Sequence, residues 1–155
     1  MSHSVLMVCM GNICRSPIAE HVMRAKAEAA GLDFTVASAG TGGWHAGEPA
    51  DHRAAAVLDQ YGYTSDHRAQ QFKAEWFENY DIILVMDEDN RDGVLQHAKS
   101  DAHKNKVQLI RSFDSGAPKH AVVPDPYYGN EDGFVKVLEM IERACDGYIA
   151  QHISE

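Results

Sequence analysis

Near the N-terminus the chain reads Cys9-Met10-Gly11-Asn12-Ile13-Cys14-Arg15-Ser16-Pro17. The apolar run Val5-Leu6-Met7-Val8 comes directly before it and predicts a buried strand. A helical pattern opens at Pro17, and Ser16 is expected to be the N-cap, since proline is favoured at the first helical position. The sequence therefore predicts a loop that joins a strand to a helix. Unpaired backbone N–H groups and the positive end of the helix dipole make such a loop an anion-binding site.

The residue types in this loop predict the chemistry of the bound anion. Cys9 is expected to ionise more readily than a free cysteine, because helix N-termini lower the cysteine pKa from its usual value of about 8.5. Arg15 can offer its planar guanidinium to two oxygens of one phosphate. Gly11 is expected to let the backbone amides converge. Together these groups predict a site of phosphoryl transfer. Its phosphate-binding loop comprises Met10, Gly11, Asn12, Ile13, Cys14, Arg15 and Ser16.

A second piece of chemistry is predicted in the sequence Pro124-Asp125-Pro126. When a thiolate attacks a phosphate ester, a general acid that protonates the departing oxygen accelerates the step by about 10²–10⁴-fold. Asp125 is the candidate because its flanking prolines stiffen the backbone. Nearby negative charge also favours its protonated form, and the same group can later activate the water that hydrolyses a cysteinyl phosphate. An Asp-Pro pair taken alone more often indicates a surface turn.

The pattern along the chain predicts an α/β fold of one domain, residues 1–155. Short apolar strands alternate with helical segments, which indicates a three-layer sandwich with a central four-stranded parallel sheet and helices on both faces. The phosphate loop lies between the first strand and the first helix, at the edge where such sheets bind ligands. The predicted strands span residues 5–8, 34–38, 82–86 and 107–110, and the predicted helices span residues 17–30, 50–61, 73–80, 88–99 and 131–149.

Composition and charge argue against several classes of partner. The net charge is −9, from 14 basic and 23 acidic residues, which disfavours nucleic acid because duplex binding depends on lysine and arginine. No apolar run approaches the ~20 residues of a membrane span, and no signal peptide is visible. Three cysteines do not indicate a disulfide scaffold, and none pairs with histidine at zinc-like spacing. We therefore expect a monomeric cytoplasmic protein that requires neither a metal nor a cofactor.

The loop sequence, together with Asp125-Pro126-Tyr127-Tyr128-Gly129 near the C-terminus, resembles the low-molecular-weight protein tyrosine phosphatases. Ser38-Ala39-Gly40-Thr41, His67-Arg68-Ala69, residues 81–90 and Phe113-Asp114 match the same family in order, so the resemblance covers essentially the whole chain. It implies hydrolysis of phosphotyrosine in protein substrates through a cysteinyl phosphate on Cys9, with Arg15 binding the phosphate and Asp125 as general acid and then base. It also implies inhibition by phosphate-like oxyanions.

The resemblance further assigns supporting residues. A hydrogen-bond network that shapes the loop is expected from Asn12, Ser16, Ser38 and His67. The substrate cleft is expected to be lined by Ile13, Trp44, Tyr127 and Tyr128, whose apolar faces suit the ring of phosphotyrosine.

Some residues keep two interpretations. Cys14 is either a small core residue or a resolving thiol that captures oxidised Cys9 in a reversible disulfide, which the family pattern favours. Trp44 can also pack within its own glycine-rich loop. Asp87 lies at the functional edge of the sheet, but helix capping explains it equally well.

Three other functions compete with the leading one. A protein-arginine phosphatase of the same fold tends to carry threonine where Ile13 stands, and an apolar Ile13 favours an aromatic ester. An arsenate reductase needs further cysteines to relay a disulfide, and the only distant one is Cys145, on an apolar helix face. A non-catalytic phosphate-binding module would be expected to lack Cys9, Arg15 or Asp125, and all three are present.

Overall fold

The computed structural model describes residues 2–127, 129 and 131–153. Its sheet has four parallel strands in the order β2-β1-β3-β4, which are β1 His3–Cys9, β2 Phe34–Gly40, β3 Ile82–Val85 and β4 Val107–Leu109. The α-helices are α1 Arg15–Ala29, α2 His52–Gln60, α3 Glu88–Leu95, α4 Asp101–Lys106 and α5 Glu131–Ile153, and short 3₁₀ helices span Ala74–Glu78 and Ile110–Phe113.

Helices cover both faces of the sheet, and the predicted three-layer α/β sandwich is confirmed. Side chains of a strand alternate between faces, and β1 contributes to two separate cores. Val5 and Met7 pack with buried residues of α1, α2 and α5, whereas Leu6 and Val8 pack with Phe77 and Val94 on the opposite face. Because both faces are buried, the strand reads as a continuous apolar run rather than an alternating one.

The carboxyl ends of the parallel strands meet at one edge of the sheet, and the phosphate loop lies there. Cys9 ends β1 and Gly40 ends β2 beside it. A Cβ at Gly40 would stand 2.7 Å from the carbonyl oxygen of Met10 and 3.1 Å from the amide nitrogen of Asn12. The loop backbone can therefore lie directly against β2 only because residue 40 has no side chain.

One prediction about the loop backbone is wrong, and the residue with the unusual backbone conformation is not the glycine. The N-cap of α1 is Cys14, which makes no capping hydrogen bond through its side chain, and Ser16 lies inside the first turn. Gly11 has no positive φ; the left-handed residue is Asn12, with φ of 58°. Tertiary hydrogen bonds decide both outcomes, because the Ser16 hydroxyl and the Asn12 amide are bonded to groups of the site rather than to the helix end.

The predicted helix over residues 88–99 ends at Leu95, and a further helix, α4, follows. The Ser100 hydroxyl caps it by accepting a hydrogen bond from the amide of His103 at 3.1 Å, which starts a new helix. The last helix, α5, extends beyond the predicted end at residue 149 to Ile153. Within the described residues, neither α5 nor any other helix is long and apolar enough to cross a membrane.

Candidate active site

A cavity of 190 Å³ opens at the carboxyl edge of the sheet. It brings together the three residues predicted to carry the chemistry, which come from the end of β1, the start of α1 and the segment before α5. The cavity is lined by Cys9, Met10, Gly11, Ile13, Cys14, Arg15, His45, Asp125 and Tyr127.

The sulfur of Cys9 is buried at the end of β1 and receives polar contacts from the loop. The backbone amide of Asn12 donates to Sγ at 3.3 Å, and the hydroxyl oxygen of Ser16 lies 2.9 Å from Sγ. That hydroxyl accepts a hydrogen bond from the side-chain amide of Asn12 at 2.8 Å, and it can donate its own proton to the sulfur or to the carbonyl oxygen of Ala39, which is farther away at 3.4 Å. Both donors would stabilise negative charge on Cys9.

The guanidinium of Arg15 is buried and held on one side by two acceptors. Its Nη1 donates to Oδ2 of Asp87 at 2.5 Å and to the carbonyl oxygen of Val123 at 3.0 Å. Its Nη2 lies 3.9 Å from Oδ2 of Asp125. A buried charge requires a counter-charge, and Asp87 supplies it in the absence of a bound anion.

Asp87 has both of the roles that the sequence left open. Besides its ion pair with Arg15, it is the N-cap of α3 and forms a capping box with Asn90, in which each side chain bonds the other's backbone amide. The helix start therefore fixes the position of the carboxylate that orients Arg15.

Asp125 lies in a turn, and the turn positions its carboxyl group. Oδ1 accepts a hydrogen bond from the amide of Tyr127 at 3.0 Å, and Oδ2 is the oxygen near Arg15. Two residues earlier, Val123 is buried and its amide donates to the carbonyl of Met86 at 2.7 Å, which ties the segment to the end of β3. The side chain of Asp125 remains one-third exposed, at 33%.

The four residues predicted to support the loop form one hydrogen-bond network around Asn12. Its carbonyl oxygen accepts from Nε2 of His67 at 2.6 Å, and its side-chain amide nitrogen donates to Ser16 and, at 3.0 Å, to Ser38. Its side-chain oxygen accepts from the amide of Gln70 at 2.9 Å. These bonds hold Asn12 in the left-handed conformation, which is uncommon for residues other than glycine.

Glu20, which the sequence analysis missed, completes this network. It accepts a hydrogen bond from the Ser38 hydroxyl at 2.5 Å, pairs with Arg24, and lies 3.7 Å from Nδ1 of His67. Burial raises the pKa of Glu20, but the nearby His67 ring, the hydrogen bond from Ser38 and the charge of Arg24 outweigh it, so the pKa lies below its usual range. The sequence feature that could have predicted Glu20 as a member of the network is its spacing of one helical turn from Ser16.

All three cysteines are buried and occur as free thiols. Cys14 lines the cavity, and burial, followed by the charge of Asp51, raises the pKa of its thiol. Cys14 is therefore protonated at neutral pH. Cys145 lies in the core, where burial raises its pKa as well.

The sequence and the fold both match known proteins. A family model described as low molecular weight phosphotyrosine protein phosphatase matches residues 4–155. The chain belongs to this family. A low molecular weight protein-tyrosine-phosphatase of Streptomyces coelicolor is 48% identical over 153 residues, covering 97% of this chain and 93% of the relative.

Solved structures agree with this assignment to the low molecular weight phosphatases. A protein tyrosine phosphatase from Entamoeba histolytica, with Hepes in its active site, has a TM-score of 0.92 at 36% identity, covering 98% of this chain and 97% of that one. The YwlE arginine phosphatase, with a phosphorylated active-site serine, has a TM-score of 0.85 at 26% identity, covering 96% of this chain and 94% of that one.

The structure of this family member places the predicted cleft residues unevenly. Ile13 and Tyr127 line the cavity, whereas Trp44 is 71% exposed and does not line it. The Trp44 ring lies over Gly42 of its own loop, where a Cβ would stand 1.8 Å from a ring carbon. The role of Trp44 as a cleft wall stays a prediction, and Tyr128 lies outside the described residues.

His45 is a cavity residue that the sequence analysis did not identify. Its ring lies against Gly11, where a Cβ would stand 3.1 Å from Cδ2, and its Nδ1 is 3.0 Å from Oε2 of Glu48. Gly11 therefore makes room for a neighbouring side chain, which is a different role from the backbone freedom predicted for it. The sequence feature that could have predicted this position is the polar aromatic ring next to Trp44 in a glycine-rich loop.

Proposed function

We propose that this protein hydrolyses phosphotyrosine in protein substrates through a cysteinyl-phosphate intermediate. The observation that supports it most directly is that the Cys9 sulfur, the Arg15 guanidinium and the Asp125 carboxyl group line one cavity at the carboxyl edge of the sheet. The whole chain, residues 1–155, acts as one domain in this proposal, as a monomer in the cytoplasm. With a net charge of −9, it does not require nucleic acid.

In the first step the Cys9 thiolate attacks phosphorus while the bond from phosphorus to the tyrosine oxygen breaks. Protonated Asp125 transfers its proton to the departing oxygen, which leaves as a phenol. Arg15 binds two phosphate oxygens and stabilises the charge that builds up on them. Asp87 and the Val123 carbonyl hold Nη1 of Arg15, so the guanidinium does not have to be ordered when substrate binds.

In the second step water attacks phosphorus and the bond to sulfur breaks. Asp125, now a carboxylate, accepts a proton from the water, and the Cys9 thiolate and inorganic phosphate are released. The hydroxyl of Ser16 and the amide of Asn12 stabilise the sulfur anion as it leaves. A phosphate-like oxyanion would occupy the same cavity and inhibit the enzyme.

The cavity favours an aryl phosphate over phosphoarginine. Met10, Ile13 and Tyr127 give it apolar walls that suit a phenyl ring. The guanidinium of phosphoarginine would need an acidic partner. Asp125 is the one carboxylate among the described lining residues, and in the proposed mechanism it already serves as the general acid. The similarity to an arginine phosphatase nevertheless makes phosphoarginine the second candidate substrate.

Arsenate reduction and simple phosphate binding are less well supported. After attack by Cys9, a disulfide relay would need a further cysteine at the cavity besides Cys14, and Cys145 lies in the core instead. A binding module without activity has no use for a nucleophile and a general acid that face the same cavity.

A turnover panel tests the proposal. Phosphotyrosine, phosphoserine and phosphoarginine peptides and arsenate are compared with EDTA present. We expect hydrolysis of the phosphotyrosine peptide alone, and loss of it in Cys9→Ser, while Cys145→Ser keeps wild-type activity. Faster turnover of phosphoarginine, or appreciable hydrolysis by Cys9→Ser, would overturn the assignment.

A further inference from the structure

A second cavity, of 580 Å³, lies along β4, the outermost strand of the sheet next to β3. It is formed by residues of α3, β4 and the segment that follows β4. Its lining residues include Arg91, Gln108, Arg111, Asp114, Lys119 and His120.

The lining of this basic cavity differs in charge from the protein as a whole. The chain has a net charge of −9, yet three cationic residues, Arg91, Arg111 and Lys119, line this cavity together with His120 and one carboxylate, Asp114. That carboxylate is engaged elsewhere, because it lies 3.5 Å from Nε of Arg143 and accepts a hydrogen bond from the amide of Gly116 at 2.9 Å. Positive charge is therefore concentrated here without a matching acid from the cavity wall.

Arg111 has a hydrogen-bond donor at this cavity that the described residues leave unused. Its Nη1 donates to the carbonyl oxygen of Val122 at 2.8 Å. Its Nε is buried and, across the part of the chain that the structure describes, has no hydrogen-bond partner. Buried N–H groups are nearly always paired with protein, water or ligand, so an oxygen atom from outside the described residues is expected at this donor, and the surrounding positive charge favours an anionic one.

Two elements connect the basic cavity with the active site. Arg91 lies one helical turn after Asp87, the residue that pairs with Arg15. Successive carbonyls of the segment that leads to Asp125 are bound by arginines of the two cavities. Val122 is bound by Arg111, and Val123 is bound by Arg15.

We propose that the basic cavity binds acidic side chains of the protein substrate while its phosphotyrosine occupies the active site. The inference rests on the proposed function. Arg91, Lys119 and His120 are solvent-exposed and the cavity is wide, which suits an extended peptide with several carboxylates better than one small ion. The phosphatase thereby selects phosphotyrosines that have acidic residues in their neighbourhood.

Matched peptides test this inference. Two phosphotyrosine peptides are compared, one with glutamates placed at increasing distances from the phosphotyrosine and one with glutamines at the same positions. An exposed ion pair typically contributes a factor of about 1.5 to 5, so two or three of them predict about a tenfold higher kcat/KM for the acidic peptide. The preference should decline as salt increases.

Charge-reversal variants assign any preference to the cavity. Arg91→Glu with Lys119→Glu should abolish it and leave hydrolysis of a small aryl phosphate unchanged. Lys99→Glu with Lys136→Glu changes the net charge equally at exposed positions that do not line the basic cavity. This control variant should keep the preference for the acidic peptide. Equal kcat/KM for the two peptides with wild-type protein, or equal loss in both double variants, would overturn the proposal.

Binding of a phosphate-free glutamate peptide, followed by fluorescence anisotropy, separates this inference from the proposed function. Binding to the wild-type protein that is weakened in the Arg91→Glu/Lys119→Glu variant supports the basic cavity even if no phosphotyrosine is hydrolysed. Binding that is unchanged by that variant, or absent from the wild-type protein, contradicts it whatever the enzyme's activity.

Discussion

The ion pair between Arg15 and Asp87 gives a prediction that connects stability with anion binding. Asp87→Asn removes the negative charge but keeps a side-chain oxygen to cap α3. The guanidinium of Arg15 is 3% exposed and Asp87 is 24% exposed, with 2.5 Å between Nη1 and Oδ2. Without an anion in the cavity, the variant therefore has a buried positive charge beside a neutral amide, and the remaining carboxylate, Asp125, is 3.9 Å from Nη2.

The magnitude follows from this burial. Breaking a fully buried ion pair costs about 3–5 kcal/mol, and partial exposure of Asp87 lets water compensate for some of the loss, so we expect about 2 kcal/mol. For a chain of this size, each kcal/mol lowers the unfolding midpoint by roughly 2–4 °C. The midpoint of Asp87→Asn should therefore fall by about 4–8 °C. A bound tetrahedral dianion replaces the missing counter-charge, so most of this loss should disappear with saturating tungstate.

Thermal unfolding with and without tungstate measures both quantities. Tungstate should raise the midpoint of Asp87→Asn by several degrees more than that of the wild-type protein. Asp89→Asn, an exposed acid in the same helical turn, is the control and should show the wild-type increase. An equal increase in all three proteins would show that Asp87 is not the counter-charge of Arg15, and the explanation of the buried guanidinium would be wrong.

Three further predictions concern Asp125, Glu20 and Gly40. Asp125→Asn should slow hydrolysis of aryl phosphates with poor leaving groups by about 10²–10⁴-fold and of activated ones much less; equal losses in single-turnover assays would remove the general-acid role. The pKa of Glu20 is lower in the folded state than its ordinary value, so the carboxylate stabilises the fold above about pH 4.5 and this contribution is lost as pH falls through the folded-state pKa. Urea unfolding should therefore show Glu20→Gln to be less stable than wild type at pH 6, with a smaller difference at pH 3.5; parallel pH curves would contradict this. Gly40→Ala places a Cβ 2.7 Å from the Met10 carbonyl and should lower stability by about 1–3 kcal/mol and kcat at least tenfold, whereas Gly116→Ala, which meets nothing closer than 3.4 Å, should change neither.

The fold, and the placement of the predicted residues at one cavity, could be anticipated because local rules determine much of both. Each strand is buried on both faces and therefore appears as an apolar run, and a loop between a parallel strand and a helix must lie at the carboxyl edge. Cys9 and Arg15 flank one short loop, whereas Asp125 is singled out by the resemblance to the family, because its flanking prolines alone indicate a surface turn.

The remaining features depend on contacts between distant segments. Ser16 is not the N-cap because its hydroxyl is bonded to Cys9 and Asn12, which no local rule anticipates. Glu20 is a buried acid whose partners include Ser38 from β2, and sequence spacing reveals only its position on α1. The two arginines on neighbouring carbonyls of Val122 and Val123 likewise appear only in three dimensions.

Trapping the intermediate tests the central claim most directly. Wild-type protein is quenched in denaturant during turnover of an activated aryl phosphate, and its peptides are mapped by mass spectrometry. We predict a phosphate adduct on the sulfur of Cys9, a burst of phenol release that does not exceed one per active site, and neither signal in Cys9→Ser. An adduct on Cys14 or on any other residue, or turnover by Cys9→Ser without an adduct, would contradict the mechanism.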